Sequence, residues 1–171
     1  MLKKIIVLLF VFFTVNCSPS FKGNDTPEHL GKTIYNAFLN NKIDEFKKYI
    51  MTADDYIKML DSTNFSEKKK QAYIEKYKQD IPLLFEQTLQ NFEDVKKEAK
   101  NLNINFKEAK FEKIEYRGGK AEIFNYMYIN IVFYSNNKKY LLRLNDCYLT
   151  QRGWLIAGIV FLIEYPEEWY D

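Results

Sequence analysis

The chain has 171 residues, 17% of them aromatic, with 25 basic against 23 acidic side chains and a net charge of +2. That length and aromatic supply suit one domain with a substantial buried core. A balance so close to neutral lacks the basic surface that displaces counterions from a nucleic acid, and excludes that class of partner.

The N-terminus reads MLKKIIVLLFVFFTVNCSPS. Lys3 and Lys4 form a positive region, and residues 5–15 form an apolar run. A membrane span needs about 20 apolar residues to cross about 30 Å of hydrocarbon. The run is too short for that, and residues 1–16 have the pattern of a secretory signal peptide. It ends on Thr14-Val15-Asn16-Cys17, which resembles the lipobox of bacterial lipoproteins, although Thr14 and Asn16 stand where that family usually has Leu and a small residue. The resemblance implies that Cys17 becomes the lipidated first residue of the mature chain. An ordinary signal peptide followed by an incidental cysteine is the alternative. Two or three acyl chains on Cys17 would hold the protein on a membrane, where a single chain binds only marginally. The expected location is then the cell envelope, facing the periplasm or the exterior, with the membrane as a partner through the anchor. Losing Lys3 and Lys4 brings the 25 basic residues level with the 23 acidic ones, so the exported domain is neutral. Cys147 is left without a partner in the chain. It lies in an apolar strand pattern and reads as a buried small hydrophobe rather than a reactive thiol.

Residues 17–25 read as anchor and tether, and residues 26–171 as a single domain. Thr26-Pro27-Glu28 marks a helix start, since Thr caps free amides and Pro fits the first turn. Leu30, Ile34, Ala37 and Phe38 then share one helical face, and Asn40-Asn41 ends it. Ile43, Phe46, Tyr49 and Ile50 predict a short second helix. Thr52 and Asp55 resemble a capping box that opens a third, over about 53–60. A long helical region is expected from Ser66 to about Leu102, broken near Ile81-Pro82. Its second part carries Phe85, Thr88, Leu89, Phe92, Val95, Ala99 and Leu102 on one stripe.

From Ile104 the pattern turns to strands. The first is expected over about 106–117, and its phase slips between Phe111 and Ile114, the mark of a bulge. Arg117-Gly118-Gly119-Lys120 reads as a hairpin turn. The second strand covers about 121–134, the third about 138–149 and the fourth Trp154 to Ile163, with turns at residues 135–137 and 151–153. The fourth reads WLIAGIVFLI, apolar at both parities, and so requires cover on both faces. A curled sheet, the C-terminal segment or a homodimer would each supply it. The expected class is α+β: N-terminal helices packed on a bent, cone-like, four-stranded antiparallel meander.

The phrases AFLNNKIDEFKKYI, AKFEKIEYRGGKAEI and QRGWLIAGI, in this order of helices and strands, resemble the nuclear-transport-factor-2-like superfamily, also called cystatin-like. The resemblance spans about residues 26–165. It implies a cone whose sheet wraps a long helix, and SnoaL-like and ketosteroid-isomerase-like members place carboxylates, tyrosines or histidines inside that cone. No catalytic motif of the superfamily carries over to particular residues here.

The residues themselves offer little chemistry. No metal-ligand cluster, cofactor motif or phosphate loop is present. The lone His29 falls in the first turn of the first helix, where exposure is expected. On the third strand Leu142, Leu144, Asp146 and Tyr148 share one parity, and Arg143, Asn145 and Cys147 the other. If the first set faces inward, Asp146 is a candidate base and Tyr148 a candidate donor to a carbonyl; a structural hydrogen bond or a place at the sheet rim is the alternative for Asp146. Phe124, Tyr126, Tyr128 and Tyr134 form an aromatic stripe, which reads as core or dimer face, or with Tyr126 and Tyr128 lining a ligand site. The acidic-aromatic tail, residues 164–171, suits either a partner or the outer sheet, and Lys68-Lys69-Lys70 reads as a solvated helix face. The leading expectation is a non-catalytic, membrane-anchored domain that binds a small apolar ligand or an envelope protein. The alternatives are a small isomerase- or hydrolase-like enzyme and an inhibitor- or immunity-type interaction protein.

Overall fold

The computed structural model describes residues 24–120 and 123–166. The leader, Cys17, the first part of the tether and residues 167–171 of the tail lie outside the described residues. Five helices come first: α1 (Pro27–Leu39), α2 (Ile43–Lys47), α3 (Ala53–Asp61), α4 (Glu67–Tyr77) and α5 (Asp80–Asn101). The start of α1 is the expected one, with the Thr26 hydroxyl accepting the His29 N–H at 3.1 Å and Pro27 in the first turn. The capping box at α3 is complete, since Thr52 and Asp55 each accept the other's backbone N–H. The long helical region breaks at residues 78–79 rather than at Ile81-Pro82. Pro82 therefore lies in the first turn of α5, where a missing donor costs nothing. On α5, Ile81, Thr88, Phe92, Val95 and Ala99 are buried.

The strands β1 (Lys110–Lys120), β2 (Asn125–Ser135), β3 (Lys138–Thr150), β4 (Gly153–Ile156) and β5 (Val160–Glu164) form one antiparallel sheet in meander order. The expected bulge in β1 is present as a register shift between Phe111 and Lys113. Arg117-Gly118-Gly119-Lys120 is not the hairpin turn. It continues β1, with Arg117 opposite Tyr128 and Lys120 opposite Asn125. Gly119 lets the Tyr126 ring lie against it: a Cβ would stand 2.3 Å from that ring, which would have to shift. The β2–β3 turn is made by Asn136 and Asn137, at φ 49° and 61°, the left-handed pair that a two-residue hairpin needs.

The expected fourth strand is two strands. β4 pairs with the C-terminal half of β3 and β5 with its N-terminal half, and residues 157–159 interrupt them. α1 packs on β1 and β2, and α5 packs on β5. The rings of Phe38 and Phe92 stack at 4.6 Å between these helices. At the β4 end, Leu155 and Ile156 are both fully buried. α3 packs against β3 on the side of Tyr148, and residues 49–51 run along the free edge of β4, where Ile156 O accepts Met51 N–H at 2.7 Å. The chain's own helices and edge segment thus cover both faces at Leu155 and Ile156, while Ile159 is 54% exposed and Phe161 and Ile163 are half-buried.

Arg152, in the β3–β4 turn, fixes this arrangement. Its Nε donates to Asp55 Oδ1 at 2.7 Å and its Nη2 to Asp55 Oδ2 at 2.6 Å. Nη1 and Nη2 also reach the carbonyls of Lys48 and Ile50. Burial alone would raise the Asp55 carboxyl, but the bonds from Arg152 and Thr52 outweigh it and hold the group below its ordinary value. A depressed carboxyl contributes stability that is complete above the ordinary carboxylate range and is lost as pH falls through the lowered value. Arg152→Leu leaves Asp55, only 5% exposed, without its counter-charge. It should cost about 3 kcal/mol at neutral pH, the scale for breaking a buried pair. Denaturant unfolding across pH should show that deficit shrinking as Asp55 protonates; a deficit independent of pH would remove the charge from the explanation.

Candidate functional site

The interruption of the sheet makes the site. On β3, Asn145 and Asp146 together oppose the single residue Tyr128 of β2, since Met127 pairs with Cys147 and Ile129 with Leu144. Asp146 sits at φ 49°, a left-handed conformation that Asp tolerates better than most residues. Across the strand, Asp146 O accepts Ala157 N–H and Ile159 O accepts Asn145 N–H, both at 3.0 Å. The α5 helix satisfies the groups that the gap frees. The buried Thr88 hydroxyl donates to Gly158 O at 3.0 Å, and Asn91 Oδ1 accepts Val160 N–H at 2.9 Å.

Between this gap and the helices lies a cavity of about 360 Å³. Met51, Tyr56 and Met59 wall it from α3 and its approach, Tyr77 from α4, and Ile81, Leu84 and Gln87 from α5. Ile123, Phe124, Asn145, Asp146, Tyr148 and residues 157–159 close it from the sheet. Its rings meet at steep angles: Tyr56 and Tyr77 at 71°, Tyr56 and Phe124 at 85°, Phe124 and Tyr148 at 80°. No Lys, Arg or His lines the cavity among the described residues.

Asp146 and Tyr148 do come together in this cavity, but not by the expected alternation. The bulge shifts the phase. Cys147 joins Leu142 and Leu144 in the core, while Tyr148 turns to the other side and meets Tyr126 at 6.3 Å. Burial raises the Asp146 carboxyl, and no described side chain hydrogen-bonds it. Burial, with the Asp146 charge adding to it, pushes the Tyr148 phenol up to about 12. Cys147 is fully buried, and burial followed by the Asp146 charge drives its thiol well above the ordinary value, as an inert core residue requires.

Tyr126 and Tyr128 lie elsewhere. They face a separate open depression on the outer side of the sheet, with Arg117, Asn130 and Arg143, and the Tyr128 hydroxyl donates to that of Tyr126 at 3.1 Å. Phe124 parts from this stripe to wall the cavity, and Tyr134 is surface-exposed at the far end of β2. His29 is exposed. The sequence reading missed Tyr56, Tyr77 and Met59 as site residues, since each reads as an ordinary apolar helix position. It also missed Gly158, whose only local signal is the Ala-Gly pair inside an apolar run.

Comparisons of the chain with protein-family models, with curated proteins and with solved structures find no match.

Gly158 seats Asp146 by close approach. A Cβ there would stand 2.7 Å from Asp146 Oδ2, 2.8 Å from Asn145 O and 2.9 Å from Asp146 Cβ. Gly158→Ala should therefore destabilise the protein by about 1–3 kcal/mol, the range for overpacking. Denaturant unfolding reads the cost, and unchanged stability would mean that the bulge has room to give.

Proposed function

We propose that this protein is a lipid-anchored domain of the cell envelope that binds a small, largely apolar molecule in the cavity between α3, α4, α5 and the interrupted end of the sheet. The cavity carries the reading. It is a half-open pocket of about 360 Å³, and aromatic and aliphatic side chains form most of its wall around a few polar groups, Gln87, Asn145, Asp146 and Tyr148. Small-molecule sites have that make-up and a volume of about 300–1,000 Å³. Helices followed by a bent meander support the same reading through their resemblance to the nuclear-transport-factor-2-like superfamily. The short apolar leader and Cys17 support attachment to a membrane.

One observation favours a second reading, a small isomerase or hydrolase. Asp146 and Tyr148 share the cavity, and the Asp146 carboxylate has no described donor of its own. Asp146 would take a proton from the substrate. Tyr148, a phenol too weakly acidic to ionise near neutrality, would donate a hydrogen bond to the developing oxyanion.

Native mass spectrometry of the full chain, extracted in mild detergent from its own membrane, tests the proposal. The expected spectrum shows acyl chains on Cys17 and one small molecule retained without a covalent bond. Cys17→Ser should move the protein to the soluble fraction. Ala157→Phe, which fills the cavity, should lose the retained molecule and keep a cooperative unfolding transition. An empty wild-type cavity, with no member of a panel of apolar metabolites raising the melting temperature, would overturn the binding reading. Conversion of the retained molecule by the wild type, and not by Asp146→Asn, would favour the enzyme.

A further inference from the structure

We infer that the cavity selects an organic monocation, an amine or quaternary ammonium group carried on an apolar body, with Asp146 as counter-ion and Tyr56, Tyr77, Phe124 and Tyr148 as an aromatic box around the charge. The inference rests on the binding reading above and narrows its ligand.

Three observations meet here. The first is the charge inventory of the wall. Asp146 is the one ionisable carboxylate among the described lining residues, and no basic side chain lines the cavity with it. A half-buried carboxylate without a hydrogen-bond donor is costly, and its cost falls when a bound group brings a positive charge. The second is the rings. Four aromatic side chains line one cavity, and each consecutive pair stands between 71° and 85°. Walls at near right angles surround a compact cation, and ring quadrupoles attract it most where water is excluded. The third is the way Asp146 is held. Its left-handed backbone, with Gly158 directly against it and Thr88 bonded to Gly158 O, places the carboxylate at the interruption in the cavity wall.

Other ligand classes fit less well. A hard metal ion needs several oxygen ligands, and no group of three or more acidic, His or Cys side chains able to hold one occurs among the described residues. An anion would meet Asp146 with no cation to offset it. A wholly neutral molecule would take water from the half-buried carboxylate and bring no charge in return. A protonated amine could also donate to the side-chain carbonyls of Gln87 and Asn145, whereas a quaternary ammonium depends on the rings and the charge alone.

The test compares two probes of the same shape, benzyltrimethylammonium and neopentylbenzene, in which carbon replaces nitrogen. Titration of the full chain at fixed ionic strength, followed by NMR, should give about tenfold or greater preference for the cation. Asp146→Asn keeps the side-chain shape and tolerates the left-handed backbone. It should cut the preference at least severalfold, leaving only the share that the rings supply, with neopentylbenzene affinity within about twofold. Phe124→Leu keeps apolar volume and removes a ring, and should weaken the cation more than the hydrocarbon. Equal affinity for the two probes, or a preference undiminished in Asp146→Asn, would overturn the monocation while leaving the cavity as a binding site. Failure of both probes to bind the wild type at millimolar concentration would overturn both.

Discussion

The pairing of Asp55 with Arg152 is the constraint on which the arrangement at this end of the molecule depends. Asp55 opens α3 and Arg152 sits in the turn between β3 and β4, so the two are close only if the helix lies across the sheet at one place. The same guanidinium reaches the carbonyls of Lys48 and Ile50, whose segment runs along the edge of β4. One planar fork thus ties a helix start, an edge segment and a hairpin. A lysine, with a single ammonium, could not hold all of them at once. With α3 located, Tyr56 and Met59 join Tyr148 in the wall of one cavity.

The floor comes from a defect that the fold keeps. β3 carries an extra residue against β2, and its other neighbour is broken at residues 157–159. An unbroken ladder would satisfy more backbone groups and leave no space. Here α5 replaces part of the lost ladder, through Thr88 and Asn91, and Gly158 supplies the room that Asp146 requires. Buried polar groups are tolerated when each finds a partner. Gly158 O and Val160 N–H find theirs on α5. The half-buried Asp146 carboxylate finds none among the described side chains and is left facing the cavity.

Much of the fold was legible because it depends on local chemistry. Thr26-Pro27 and the Thr52–Asp55 box mark real helix starts, and the slipped phase after Phe111 marks a real bulge. What failed did so for non-local reasons. Gly118-Gly119 has the chemistry of a turn, yet it stays in the ladder opposite Met127 and Tyr126, with the Tyr126 ring lying against Gly119. Thr88 sits in an apolar stripe and reads as part of it, although its hydroxyl serves a carbonyl 70 residues away. Alternation along β3 paired Asp146 with Tyr148 correctly as cavity neighbours while assigning both to the side of Leu144, because period 2 does not register an inserted residue. Tyr56 and Tyr77 carry no signal of a site in sequence, since they become walls only when α3 and α4 are placed. The break before Asp80, rather than at Pro82, follows from the tolerance of a first turn for proline, which the residue alone does not announce.

That break also sets how the cavity can open. α4 buries no residue fully, and it is held mainly through rings, with Tyr73 over Phe65 and Tyr77 against Tyr56. Of the elements around the cavity it has the fewest buried contacts, and local opening is least costly where burial is least. α1 and α5 are seated on the sheet by fully buried side chains, and α3 is held by the Arg152 fork. Exposed apolar groups, Leu84 and Ile159, stand at the rim of the same cavity. Entry past α4 therefore disturbs stacked rings and little of the core. Tyr77, on the same helix, is also a wall of the cavity, so the least buried helix carries one of its rings.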